Sequence, residues 1–168
     1  MEQGFKIKNN VFVDHRGTFA PLSLYSLDKD WIQSNVSFNP KKGTFRGLHF
    51  QLGDSAQAKL IKVITGMIID FIVDIRIDSP HYLKVYEFIV TPGEELYVPR
   101  GYAHGFLTTE DNTVVQYLVD NIYSPENEGS IYWKEFPEIV DTIKEYQDGV
   151  LNEGELIISE KDLVTKNF

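Results

Sequence analysis

The chain has 168 residues, 42% of them hydrophobic and 13% aromatic, with no break in composition, so it can bury one sizeable core and we expect a single domain over residues 1–168. Its formal net charge of −9 argues against nucleic acid or an anionic membrane as a partner, because both would be repelled. The lack of cysteine excludes disulfides and thiol chemistry, and residues 1–6 lack the apolar stretch of a signal peptide, so we expect a cytoplasmic protein.

The first predicted elements are two strands and one helical turn. Residues 11–13 and 31–38 carry the apolar side chains typical of strands. Between them, Ser26 can cap a single helical turn over residues 26–30. The chain is therefore expected to begin with short, mostly extended elements.

Residues 59–78 form the most regular segment, in which apolar and polar residues alternate. Apolar side chains occupy nearly all odd positions, whereas Lys62, Asp70 and Asp74 stand at even ones. A period of two predicts strands with one buried face. Gly66 interrupts the run and predicts a tight turn between two strands.

Further short strands follow, separated by turns rich in glycine, proline and asparagine. They are predicted at residues 83–90, 95–98, 104–108 and 113–123. Many short strands with such turns indicate an all-β sandwich or barrel. Residues 137–146 then have apolar side chains at near-helical spacing, which predicts a small helix packed on the sheet. Only residues 165–168 are expected to fray.

An imidazole, a guanidinium and an ammonium occur close together in the sequence between these strands. His49 has apolar neighbours and is expected to be partly buried, where a neutral imidazole can act as a general base. The alternative is a hydrogen-bonded core histidine. Arg46 and Lys59 favour the functional reading, because charged groups rarely enter a core unless they are paired or used.

The orientation of these three side chains is left open by the strand pattern. Lys59 is in register with Ile61 and Val63, which points its ammonium into the barrel, unless it bends away to water. Arg46 and His49 are three residues apart and would face opposite sides of a regular strand. Either Gly47 forms a bulge that brings both inside, or only one of them belongs to the site.

Residues 93–104 have the glycine, Pro-x-Gly and histidine spacing that resembles the second motif of cupins, which would point His104 into the barrel. Metal-binding cupins supply a His-x-His pair and a glutamate from their first motif. Here His49 is followed by Phe50 and Gln51, so a transition metal would have too few ligands. We therefore expect no catalytic metal.

Several motifs occur in the order and spacing of dTDP-4-dehydrorhamnose 3,5-epimerases, and the chain resembles that family from about residue 12 to residue 162. The most specific are Arg-Gly-Leu-His at residues 46–49 and Ala-Gln-x-Lys-Leu at residues 56–60. The resemblance implies a cupin-type jelly-roll fold with one or two short peripheral helices, no metal or cofactor, and a homodimer. It also implies epimerisation of a nucleotide-diphosphate 4-keto-6-deoxy hexose at C3, C5 or both, in deoxysugar biosynthesis.

The resemblance assigns four catalytic positions. His49 matches the base, Tyr117 matches the acid on the opposite face of the sugar, Lys59 matches the group beside the C4 carbonyl oxygen, and Asp162 matches the partner of the histidine. This set suits the reaction, because the hydrogens on C3 and C5 flank a ketone and leave to give an enolate. Inversion then needs one proton handler on each face of the ring.

The resemblance also assigns positions that bind the substrate. These are Arg16, Phe19, Gln33, Arg46, His104 and Tyr123. The arginines suit phosphate oxygens and the aromatic rings suit a pyrimidine base. Surface salt bridges for the arginines and ordinary strand packing for the aromatics are the alternatives. The chain has Ala20-Pro21 where the family commonly has an acidic residue, which leaves the nucleotide open.

Two other functions are compatible with these residues. A ketoisomerase would move the carbonyl between C4 and C3 through an enediol in the same type of barrel. A non-catalytic cupin would only bind a sugar or a nucleotide. Incorporation of solvent deuterium at C3 and C5 without migration of the carbonyl separates the epimerase from both.

Overall fold

The computed structural model describes residues 4–8, 11–15, 17–19, 30–149 and 156–168. These residues form two five-stranded antiparallel sheets, a small hairpin and one α-helix. The first sheet has the order β1 (Phe5–Lys8), β9 (Glu94–Val98), β6 (Lys59–Thr65), β11 (Thr113–Val119) and β4 (Gln33–Asn39). The second has the order β12 (Glu128–Ser130), β5 (Phe45–Gln51), β10 (Tyr102–Thr108), β7 (Ile68–Asp74) and β8 (Val85–Val90). The hairpin is β2 (Phe12–Asp14) with β3 (Gly17–Phe19), and the helix is α1 (Pro137–Gly149).

The two sheets face each other across an apolar interior. Ile61 of β6 and Val115 of β11, from the first sheet, belong to one buried cluster with Ile72 of β7 and Phe106 of β10, from the second. Apolar side chains from both sheets therefore fill the space between them, as in a double-sheet jelly roll. The predicted all-β, jelly-roll-type fold is confirmed.

A second apolar layer covers the outer face of the second sheet. Ile139 and Ile143 of α1 are buried against Phe71 and Leu107 of that sheet. Burial of each isoleucine contributes about 1.5–3 kcal/mol to folding. The predicted helix is confirmed, and it continues to Gly149. The predicted helical turn at residues 26–30 falls almost wholly outside the described residues.

Strand β7 is buried on both faces, which the alternating pattern did not indicate. Phe71 and Val73 pack toward α1, whereas Ile68 and Ile72 belong to the cluster between the sheets. Asp70 stands between these two isoleucines in sequence and shares their face, with no exposed surface. The prediction of a single buried face was therefore wrong for this strand, because a second layer covers the other side.

The C-terminal residues are paired rather than frayed, so that prediction was also wrong. Lys166 and Ser130 exchange two backbone hydrogen bonds of 2.8 and 2.9 Å, and the Ser130 hydroxyl donates to the Val164 carbonyl at 2.9 Å. The ring of Phe168 packs edge-on against the ring of Phe50, with 6.1 Å between the ring centroids. The tail is thus attached to the second sheet through β12. Within the described ranges, no helix has the length and apolar character needed to cross a membrane.

Candidate active site

A cavity opens between the two sheets and is lined by side chains from both. Two adjoining parts of it have volumes of about 330 and 360 Å³. Both parts are lined by His49, Lys59, Tyr117 and Lys161. Gln33 and Tyr123 line only the first part, and Arg46, His104 and Asp162 line only the second. The eight predicted site residues whose side chains are described therefore meet in one cavity.

Two predicted residues lie outside this description. Arg16 is not among the described residues, and of Phe19 only the backbone, in β3, is described. Their assignments to substrate binding stay predictions.

His49 and Tyr117 reach the cavity from opposite walls. His49 lies on β5 in the second sheet, and Tyr117 lies on β11 in the first sheet. Because the sheets are stacked face to face, inward side chains from β5 and β11 point toward each other across the space between them. A flat ring bound in this cavity would present one face to each of these side chains.

His49 is hydrogen-bonded to a buried carboxylate. Its Nε2 lies 2.7 Å from Oδ1 of Asp162, which is on a short 3₁₀ turn, Glu160–Leu163. Asp162 is only 2% exposed, and its burial alone would raise its pKa, but hydrogen bonds from His49 and from the Gly47 backbone N–H, together with electrostatic interactions with His49 and Lys161, outweigh this, so the pKa of Asp162 is lowered. An ionised carboxylate accepts a hydrogen bond from Nε2–H, which leaves Nδ1 as the nitrogen with a free lone pair.

A bulge explains how Arg46 and His49 enter the same cavity. His49 pairs with His104 on β10, but Arg46 pairs with Phe106, so three steps along β5 match two steps along β10. Gly47 lies in this bulge with a φ of +128°, and a Cβ there would approach Gly105 Cα to 2.5 Å. Only glycine fits the position, so the alternative in which Gly47 brings both side chains inside is the one observed.

Lys59 points inward, on the same face of β6 as Ile61 and Val63. Burial lowers the pKa of its ammonium to about 8, although the carboxylates of Asp70 and Glu128 act in the opposite direction. The ammonium is therefore mostly protonated at neutral pH but is close to its titration range. The alternative, in which Lys59 bends away to water, does not hold.

His104 forms a second pair with a carboxylate, Asp70. Its Nε2 lies 2.8 Å from Oδ2 of Asp70, and both side chains are buried. Burial raises the pKa of Asp70 and lowers the pKa of His104, so the surroundings disfavour charge on each partner. Oδ1 of Asp70 has no hydrogen-bond partner among the described residues.

Arg46 and Tyr117 both line the second part of the cavity, where the charge of Arg46 acts on the Tyr117 phenol. The Arg46 Nε donates to Oδ1 of Asn39 at 2.9 Å, and no carboxylate of the described residues forms a salt bridge with Arg46. The surface salt bridge considered as an alternative is therefore not formed in this part of the chain. Burial raises the pKa of the Tyr117 phenol, and the positive charge of Arg46 acts to lower it.

The remaining predicted residues lie at the other end of the cavity. Gln33 donates from Nε2 to Oδ1 of Asn35 at 2.7 Å, and both line the first part. Tyr123 is 45% exposed at the rim. Burial, together with a hydrogen bond to Glu128, raises the pKa of the Tyr123 phenol.

Sequence reasoning missed several groups that line or adjoin the cavity. Asp70, Asn35, Glu128 and Lys161 were given no role. Asn35, Glu128 and Lys161 each lie within five residues of a predicted site residue in the sequence, so their position was a usable signal. Asp70 gave none, because the alternation placed it among the exposed residues. Within the described part of the chain, no cluster of three or more His, Asp or Glu side chains has the arrangement of a metal site.

Comparison with known proteins gives one consistent family. The family model described as dTDP-4-dehydrorhamnose 3,5-epimerase matches residues 1–168. The protein of that name from Sinorhizobium fredii is 41% identical over 135 residues, which are 76% of this chain and 69% of the relative. The one from Methanothermobacter thermautotrophicus is 36% identical over 165 residues, which are 93% of this chain and 84% of the relative.

Solved structures agree in both fold and sequence. The crystal structure of dTDP-4-dehydrorhamnose 3,5-epimerase from Bacillus anthracis, with TDP and PPi bound, has a TM-score of 0.85 at 34% identity and covers 98% of this chain and 94% of that one. A Legionella pneumophila 3,5-epimerase in complex with dTDP-4-keto-L-rhamnose has a TM-score of 0.78 at 27% identity and covers 95% of this chain and 84% of that one.

Proposed function

The chain belongs to the dTDP-4-dehydrorhamnose 3,5-epimerase family, and we propose that it inverts the carbons on both sides of the keto group in a dTDP-linked 4-keto-6-deoxy hexose. It is thus an isomerase, and the match over residues 1–168 supports one epimerase domain. The observation that carries the proposal is that His49 and Tyr117 line one cavity from opposite sheets.

The proposed base is Nδ1 of His49. It removes the hydrogen on the carbon next to the ketone, and the electron pair of that C–H bond moves into the enolate. Asp162 accepts the hydrogen bond from Nε2, fixes the tautomer and stabilises the imidazolium that forms. A buried, ionised carboxylate can do this without taking the proton itself.

The proposed acid is the phenol of Tyr117 on the opposite wall. Because burial raises its pKa, the phenol stays protonated at neutral pH and can deliver its proton to the carbon from the other face. The guanidinium of Arg46 would then stabilise the phenolate that is left. Each inversion therefore leaves a proton on His49 and removes one from Tyr117, and both are restored by exchange with solvent.

Lys59 would stabilise the enolate oxygen at C4. Its ammonium lines both parts of the cavity and is mostly charged at neutral pH. Charge stabilisation inside a partly desolvated site is stronger than in water, and loss of one such donor typically costs about 100-fold to 1,000-fold in rate. His104, held by Asp70, would hydrogen-bond the sugar on the wall that carries His49.

The diphosphate and base would be bound by the remaining polar and aromatic residues of the cavity. The terminal amino groups of Arg46 suit phosphate oxygens, Gln33 suits polar groups of the substrate, and the exposed ring of Tyr123 can stack on a pyrimidine at the rim. Arg16 and Phe19 are proposed for the diphosphate and base on the family resemblance alone. Together Arg16 and Arg46 supply local positive charge, which a dianionic ligand needs on a protein of net charge −9.

A homodimer is part of the proposal. Strand β4 is an edge of the first sheet, and its Val36 and Phe38 are 67% and 57% exposed. Exposed apolar side chains on an edge strand favour pairing with a second copy. Sedimentation at working concentration tests this, and a monomer would contradict it.

The experiment that tests the reaction is incubation of the protein with dTDP-4-keto-6-deoxyglucose in heavy water, followed by proton NMR. We expect deuterium at C3 and C5, with the carbonyl still at C4. Migration of the carbonyl to C3 would indicate a ketoisomerase. Binding of dTDP without any uptake of deuterium would indicate a cupin that only binds its ligand.

A further inference from the structure

We propose that Asn39 is a positioning residue that holds the Arg46 guanidinium in the cavity, with its terminal amino groups left free for the diphosphate of the substrate. This inference rests on the proposed function, in which Arg46 contacts that diphosphate. It assigns a role to a fully buried polar side chain at the end of β4 that does not itself line the cavity.

The hydrogen bonds of Asn39 fix which end of its amide faces the arginine. Nδ2 donates to the Thr113 carbonyl at 3.1 Å and to the Ser37 carbonyl at 3.3 Å, which uses both of its N–H groups. Oδ1 accepts from the Ser37 hydroxyl at 3.2 Å and from the Arg46 Nε at 2.9 Å. A flipped amide would set donor against donor and oxygen against two carbonyls, so the amide has a single good orientation.

The contact uses Nε, the arginine nitrogen that joins the guanidinium to the aliphatic part of the side chain, and neither of the terminal amino groups. With Nε bound to Asn39, the plane of the guanidinium is fixed, and its four terminal N–H groups stay available for an anion. Arg46 is otherwise exposed and forms no salt bridge with any described carboxylate, so its guanidinium depends on the hydrogen bond to Asn39 for a directional polar contact in this part of the chain. An ordered guanidinium loses less side-chain freedom when the ligand binds.

The same contact also concerns the acid of the reaction. Arg46 and Tyr117 line one part of the cavity, and the charge of Arg46 acts to lower the pKa of the Tyr117 phenol against the effect of burial. A guanidinium that swings into solvent would be screened from the phenol. Loss of Asn39 should therefore weaken binding first and affect the proton donor second.

The test is a double-mutant cycle on dTDP binding, measured by calorimetry with wild type, Asn39→Ala, Arg46→Ala and the double variant. We expect Asn39→Ala to weaken binding by about tenfold and Arg46→Ala by at least as much. The double variant should bind no more weakly than Arg46→Ala alone, because Asn39 acts through the arginine. In turnover, Asn39→Ala should raise KM by a larger factor than it lowers kcat.

Thr109→Val is the matched control. Thr109 is also buried and polar, and its hydroxyl donates to the Met67 carbonyl at 3.1 Å, but it lies outside the cavity lining. It should lose stability in a thermal melt without losing dTDP affinity. If Asn39→Ala does not fold, Asn39→Ser, whose hydroxyl is too short to reach Nε, should show the same loss of affinity.

Three outcomes would overturn the inference. The first is wild-type dTDP affinity in the folded Asn39 variants. The second is a loss from Asn39→Ala that is just as large in the Arg46→Ala background, which would show a general structural effect. In both cases the proposed function stands if the wild-type protein binds dTDP and turns over. A wild-type protein that binds no dTDP would overturn the proposed function together with this inference.

Discussion

His49 on β5 and His104 on β10 lie opposite each other in neighbouring strands, and each is hydrogen-bonded through Nε2 to a different carboxylate. Asp162, the partner of His49, has a lowered pKa, whereas the pKa of Asp70, the partner of His104, is raised. One pair is therefore prepared to stabilise an imidazolium, and the other is not. The His49 side chain is 25% exposed and the His104 side chain only 9%, which also favours His49 as the group that meets the reacting carbon.

The first prediction concerns this difference between the two histidines. His49→Asn should lower kcat by about 100-fold to 10,000-fold, because it removes the proposed general base. It should also abolish deuterium uptake from heavy water at C3 and C5. His104→Asn should raise KM and keep measurable deuterium uptake. Loss of uptake in His104→Asn, with uptake kept in His49→Asn, would reverse the two roles.

The second prediction separates the acid from the base. In Tyr117→Phe the base can still remove a proton and return it to the same face, so the substrate should gain deuterium without inversion. NMR of the recovered sugar measures both quantities in one sample. Tyr146→Phe is the control, because the Tyr146 hydroxyl donates to the Thr109 carbonyl at 2.6 Å, and Tyr146 does not line the cavity. Inversion at the wild-type rate in Tyr117→Phe would show that another group is the acid.

Two features of the site illustrate why part of it could not be read from the sequence. The alternation placed Asp70 on an exposed face because it allowed for only one covered face of the sheet. The layer formed by α1 and the residues before it covers a second face, so both faces of β7 are buried. The common face of Arg46 and His49 depends on a bulge at Gly47, and a bulge is set by the pairing with β10 rather than by the residues of β5 alone. Local alternation carries no information about either.

The place of His49 and Lys59, two of the proposed catalytic residues, in the cavity was predictable because they lie in motifs with fixed spacing. His49 and Lys59 fall in two motifs only a few residues apart, and strand alternation then points Lys59 inward with Ile61. Asp162 is distant in sequence, and its contact with His49 could be expected only from the family resemblance. Long-range contacts of this kind are formed by the tertiary fold, which a single sequence read locally does not specify.

The third prediction is an alkaline limb set by Lys59. Its pKa is lowered to about 8, so the ammonium is present below that pH and is lost above it. The rate should fall as pH rises through about 8, because the neutral amine cannot stabilise the enolate. Asp70→Asn removes a charge that raises the pKa of Lys59, so the limb should move to lower pH. The control is Lys62→Met, which should leave the limb in place. Lys62 lies on the other face of β6, where its Nζ is 3.6 Å from Oε1 of Glu95. A limb that stays in place in Asp70→Asn would contradict the assignment.

The last prediction concerns the C-terminal tail, which holds the turn that carries Asp162. The turn ends at Leu163, and the residues after it are held at Val164, whose carbonyl accepts from the Ser130 hydroxyl at 2.9 Å, and at Lys166, whose N–H donates to the Ser130 carbonyl at 2.8 Å. Lys166→Pro removes that donor, whereas Lys166→Ala keeps it. A looser tail lets Asp162 move away from His49, so Lys166→Pro should lower kcat several-fold and leave KM nearly unchanged.

Lys166→Ala should match the wild type in both constants, because its backbone can still pair with Ser130. Asp162→Asn sets the largest loss that the tail can cause, since it removes the ionised partner of His49 altogether. Combining it with Lys166→Pro should add nothing further if the tail acts only through Asp162. A loss in Lys166→Pro that is just as large in the Asp162→Asn background would instead mean that the tail supports the cavity wall around Phe50, against which Phe168 packs.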